Sequence, residues 1–217
     1  MKFFHFLTFA VAASATPVPG LELSTEKPKD LATRQANNLA QVALNAVTTA
    51  SNTIDTSLDT IASTLAAAGD NINVDVQAVL EANLNAISAA LGQGAGAVTG
   101  AIAAAGGNIA NAVTGYGLVQ VLQLVTASNR LVALLKQLGV RLDATIDNLD
   151  AVAPAALEAL NDELALIRDA VDPFVTPVGE IINAVRRITL TGSLLLTGFD
   201  RAVPGLLGIL DDLLGGL

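Results

Sequence analysis

The residues with the most evident capacity for chemistry are carboxylates. Asp143, Asp147 and Asp150 fall at i, i+4 and i+7, so one side of a helix would carry all three. Glu158 and Asp162 share the i, i+4 spacing, as do Asp55 and Asp59. Two carboxylates flanking a glycosidic bond can hydrolyse it, one protonating the leaving oxygen while the other attacks or activates water. Sugar clefts also need aromatic platforms, and beyond residue 15 the only aromatic residues are Tyr116, Phe174 and Phe199. No D-x-D-x-D-G loop gathers the acids around calcium. They read instead as a solvated acidic face near Arg141 and Arg168.

Other catalytic chemistry lacks its residues. The chain has no Cys, and its one His, His5, lies in the first fifteen residues. A Ser-His-Asp triad, a thiol nucleophile and an ordinary zinc site then have no ligands or bases to use. S-x-x-K occurs once, as Ser24–Lys27 in the Pro-rich stretch before the helices, and G-x-S-x-G does not occur. The Gly-rich run follows no strand, so it is not read as a nucleotide loop. The expectation is a protein that is not an enzyme, with no metal and no cofactor.

The elements that position these side chains begin with "MKFFHFLTFAVAASA". Lys2, the apolar run Phe3–Ala13 and the A-x-A site Ala13-Ser14-Ala15 have the form of a secretory leader, placed at residues 1–15. Eleven apolar residues are too few for a bilayer core of about 30 Å. Without Lys2 the net charge moves from −9 to about −10. That acidity excludes nucleic acid, whose phosphates require a basic footprint, and electrostatic docking on anionic headgroups. A secreted chain without cysteine must be stabilised by apolar packing. No N-x-S/T site is present.

Residues 16–36 are Pro-rich and of mixed charge, and read as a disordered arm or short pro-segment. Residues 37–217 read as one helical domain. Leu39, Val42, Ala46, Ala50, Ile54, Leu58, Ile61 and Leu65 recur at helical steps, with Gly69 as the stop. Further helices are expected over 74–91, weakly over 94–114, and then over 118–138, 141–152 and 155–171. Pro173 and Pro177 bracket an expected loop. Helix resumes near Gly179, and Pro204 opens the last segment. No period-two run of strand length is present. The fold class is all-α, a bundle of six to eight helices with a Gly/Ala-rich central helix.

Between Glu81 and Arg130 stand 48 residues without a charge. Ala fills most of the first half, so its insertion energy is weak, and no stable transmembrane anchor is expected. Gly92, Gly96 and Gly100 fall four apart, a spacing that permits close helix packing. The run therefore reads as a thin buried helix. In helix one, Thr49, Thr53, Thr56, Thr60 and Thr64 lie along one side. That face reads as hydrated and neutral, with O-mannosylation, ice binding or contact with wall polymers as sharper alternatives.

The leader, the "TPVP" after it, and the cysteine-free Ala/Leu/Val/Asp helices with Thr-Ile-Asp-Thr and Asp-Asn-Leu-Asp runs resemble secreted proteins of filamentous fungi. Among these the chain is similar to the hydrophobic surface-binding and cell-wall mannoprotein type. The resemblance implies an extracellular or cell-wall helical bundle that adsorbs to apolar surfaces or holds a lipid between helices. The alternative function is a structural wall component, or an effector acting through a protein partner. A membrane-perturbing protein is the third option. Within "PGLLGILDDLLGGL", Leu206, Leu207, Ile209, Leu210, Leu213, Leu214 and Leu217 form an apolar stripe, with Gly208, Asp211, Asp212 and Gly215 opposite. The stripe is expected either to dock on the bundle as a lid or to meet an apolar surface.

Overall fold

A computed structural model describes residues 28–188, with side chains from 39 to 187. The described residues are all-α, in six helices: α1 Pro28–Ala68, α2 Val74–Ala104, α3 Ile109–Val113, α4 Leu118–Val152, α5 Pro154–Ala159 and α6 Asn161–Ile188. The expected leader, the first part of the expected arm, and the whole C-terminal leucine stripe lie outside them.

Three long helices run further than their sequence signals indicate. Helix α1 begins at Pro28, inside the expected arm, because proline at a first helical position loses no hydrogen bond and has its φ preset. It ends where Gly69 adopts φ +54°. Asn73 then caps α2, its side chain accepting from the Val76 N–H at 3.0 Å. Helix α2 continues past Gly92 to Ala104, where Gly106 and Gly107 take positive φ. Leu84, Ile87, Leu91 and Val98 hold one face of it in the core, and that burial overrides glycine's propensity cost of about 1 kcal/mol. Helix α4 merges the two expected helices 118–138 and 141–152, because Gly139 is buried and the apolar stripe does not break there.

Pro173 and Pro177 lie within α6 rather than in a loop. Val171, Phe174, Val178, Ile181 and Val185 are all buried at helical spacing around them. The missing N–H groups leave the carbonyls of Asp169 and Pro173 without helical partners, and both of these residues are exposed, so water can replace the lost bonds. Pro173→Ala and Pro177→Ala are each expected to raise stability by about 1–3 kcal/mol, read as a higher urea midpoint.

Helix order follows from side-chain pairs. Gln123 donates to Gln41 at 2.7 Å, Arg130 to Thr48 at 2.7 Å, and Arg141 to Asp59 at 2.6 Å. Each pair is separated by 82 residues, so α1 and α4 run parallel and in register. The short turn after Gly69 makes α2 antiparallel to α1. Leu80 and Leu160, Leu84 and Leu164, and Gly94 and Phe174 meet at a constant offset, so α6 runs parallel to α2. Side by side the order is α4, α1, α2, α6, with α3 packed on α6 and α1. On α4, Val121, Leu124, Ser128, Leu131, Leu135, Leu138, Leu142, Thr145 and Leu149 are buried at alternating steps of three and four, the heptad spacing that long helices use to pack side by side.

Candidate functional site

The structure places the described carboxylates singly along the helix surfaces or beside arginines. Asp143, Asp147 and Asp150 are exposed on α4, as a solvated acidic face requires. Asp59 pairs with Arg141, and Arg168 lies 3.4 Å from its neighbour Asp169. Among the described residues no three His, Cys, Asp or Glu converge to hold a metal ion.

The described surface carries open clefts, and an apolar void lies in the core. The first cleft, of about 410 Å³, lies where α1 ends against α4, with Leu65, Ala66, Asp70, Arg141, Thr145 and Asn148 around it. Its cation is neutralised by Asp59, and the Thr145 hydroxyl is spent on the Arg141 carbonyl at 2.8 Å. Beneath it, Ile61, Leu80, Leu84, Leu149, Leu160 and Leu164 enclose a void with no room for water. The second cleft is a groove of about 520 Å³ along α1 and α2. Val42, Ala46, Ala50, Ala86, Ala90 and Gly94 contribute apolar surface, with Asn45, Thr49, Thr53 and Gln93 among them. No charged residue lines it.

The glycine spacing that signals close packing is displaced by two residues from where the contact lies. Gly92, Gly96 and Gly100 are exposed, and a Cβ on any of them would meet no described atom within 4 Å. Gly94 makes the close contact: a Cβ there would sit 2.5 Å from Cε2 of the buried Phe174. The i, i+4 pattern selects an outward face here because Leu84, Ile87, Leu91 and Val98 occupy the inward one.

The threonine face is less hydrophilic than its composition. Thr53 donates to the Thr49 carbonyl at 3.2 Å, Thr56 to Asn52 at 2.8 Å and Thr60 to Thr56 at 2.9 Å. The same back-bonding occurs at Thr48 and Thr126. These hydroxyl protons serve their own helix.

No family model, no curated protein and no solved structure matches this chain. The site therefore rests on its own geometry. Helices α2 and α4 are each long and apolar enough to cross a membrane by length and composition alone, and their most apolar windows are only 33% and 39% buried.

Tyr116 lies in the turn between α3 and α4. It is buried, and its hydroxyl lies by the Ala40 backbone without a well-formed hydrogen bond. Burial pushes the phenol well above its ordinary value of 10.0. The folded state therefore keeps its proton at a pH where the unfolded chain loses it. Stability from this group is intact below pH of about 10 and falls above it. Tyr116→Phe is expected to flatten that alkaline fall in urea midpoints measured from pH 8 to 11.

Proposed function

We propose that this is a secreted, non-enzymatic helical protein that binds an apolar ligand, a lipid or a hydrophobic surface. The observation that carries the reading is the α1–α2 groove, about 520 Å³ in volume and lined only by apolar and neutral side chains. That volume falls within the range of small-molecule pockets, roughly 300–1,000 Å³. A charged ligand would find no counter-charge along its walls. A slender hydrocarbon chain would exchange water for Ala, Val and Gly surface.

In this reading residues 1–15 direct export, and the full chain forms a bundle of six to eight helices in which the Gly/Ala-rich α2 is the central helix. The C-terminal stripe from Leu206 to Leu217 supplies either a lid or a further apolar contact. Mass spectrometry of lipid co-purified with the protein from culture medium tests the reading. Bound hydrocarbon is expected in the parent protein and lost in Ala89→Phe, which fills the groove from an exposed position. A protein that carries no lipid and does not adsorb to hydrophobic beads would refute it. Truncation after Val203 separates the two roles of the stripe. Lost stability marks a lid, and unchanged stability with lost adsorption marks a surface contact.

A further inference from the structure

Resting on that reading, we infer that the uncharged half of the bundle, led by Leu118, Val119 and Leu122 on α4, docks on an uncharged lipid surface. These three side chains are 62%, 63% and 48% exposed within the first turns of one helix. The other large exposed apolar residues stand near charges: Val74 next to Asp75, Val79 two positions from Glu81, Val140 next to Arg141, and Leu166 two positions from Arg168.

The register between helices gives the cluster its surroundings. An offset of 82 residues sets 118–129 of α4 alongside 36–47 of α1. Neither stretch contains a charged residue, and neither do α3 or α2 beyond Glu81. The charge-free segments of four helices thus gather in one part of the fold, with the α1–α2 groove among them. Charge borders that region at the start of α1, through Lys29, Asp30 and Arg34, and along α6, through Asp172, Glu180, Arg186 and Arg187.

Hydrogen bonding points the same way. A hydroxyl moved from water into an apolar phase is costly unless it keeps a partner. Thr114 and Thr126, in the charge-free segments, already donate to the carbonyls of Ala110 and Leu122 one turn back, at 2.8 and 2.9 Å. Such a face can leave bulk water without orphaning those donors. Residues 118–129 and 36–47 bring no charge of their own to a headgroup, and the acidic chain as a whole repels anionic ones. The fitting partner is the interfacial layer of a zwitterionic bilayer, where leucine and valine reach hydrocarbon and Asn, Gln and Thr stay at headgroup level.

The test is flotation of the full-length protein with phosphatidylcholine vesicles, with and without anionic lipid, at low and high salt. Binding is expected to be unaffected by salt, no stronger with anionic lipid, and at least tenfold weaker in Leu118→Asp/Leu122→Asp. Val140→Asp, equally exposed on the same helix, is expected to bind as the parent does. Circular dichroism confirms that both variants fold. Several results would overturn the inference: unchanged vesicle binding by the double variant, binding that requires anionic lipid, or binding that falls with salt. So would self-association of the parent that the double variant abolishes without any vesicle binding, which would assign the face to a second copy. If vesicles are not bound but hydrocarbon co-purifies, the docking face fails and the apolar-binding reading stands. If neither occurs, both fail.

Discussion

Gly94→Ala will destabilise the fold by about 1–3 kcal/mol, while the same change at Gly92, Gly96 or Gly100 will stabilise it by up to about 1 kcal/mol each. The four glycines share one helix and one propensity, so the difference in sign comes from their surroundings alone. At Gly94 a new Cβ would lie 2.5 Å from Cε2 and 2.9 Å from Cδ2 of Phe174. That ring is fully buried, so it cannot swing aside as an exposed chain end would. At the other three positions the new methyl meets no described atom, and the helix gains from the stiffer backbone. Denaturant midpoints of the four single variants decide the matter. A stabilising Gly94→Ala would mean that the Phe174 contact does not exist as described. Gly94→Ala combined with Phe174→Leu should recover part of the loss, since the smaller side chain frees the space.

Leu84→Ala will cost about 2–5 kcal/mol, the largest effect expected of any single truncation at the α4–α6 end of the core. Leu84 is 1% exposed and packs with Ile61, Leu80, Leu149, Leu160 and Leu164, side chains from α1, α2, α4 and α6 and the turn between α5 and α6. The space among them already excludes water. Removing the isobutyl group leaves a dry cavity whose lining loses its contacts outright. Thermal unfolding measures the loss, and xenon binding to the variant but not the parent would locate the cavity. A cost below about 1 kcal/mol would show that the helices collapse into the gap.

Much of the architecture was legible in the chain because burial leaves a periodic trace. Leu39 through Leu65 predicted α1, Gly69 its end and Pro154 the start of α5, each from a local rule. Two expectations fail on their own, since α1 starts at Pro28 inside the expected arm and the helix expected over 155–171 breaks at Leu160 into α5 and α6, while the other failures share one cause. Gly92, Gly139, Pro173 and Pro177 are breakers by intrinsic propensity, yet each lies inside a continuous helix. Propensity is a matter of about 1–3 kcal/mol per residue, and the buried apolar stripes running past these positions outweigh it. The site was less legible still. The spacing of Gly92, Gly96 and Gly100 is visible in one dimension, but the partner of Gly94 lies 80 residues away on α6. The Leu118–Leu122 cluster gave no signal either, because exposed and buried leucines are written alike. The 48-residue charge-free run was the strongest clue, and its meaning depended on which segments stand next to it.

The parallel pairing of α1 with α4 also dictates a history for the molecule. The three side-chain hydrogen bonds between those two helices each close a span of 82 residues, whereas α1 and α2 meet across a short turn. During synthesis the α1–α2 hairpin can form as soon as its second helix emerges, long before its parallel partner exists. For that interval the nascent hairpin carries the flank of α1 that α4 will later cover, bare of its neighbour and with Asp59 still lacking Arg141. Folding should then proceed in two kinetic steps, a fast local one and a slower one limited by the long loop. The second step is when the chain is most exposed to wrong partners, including the hairpin of another copy.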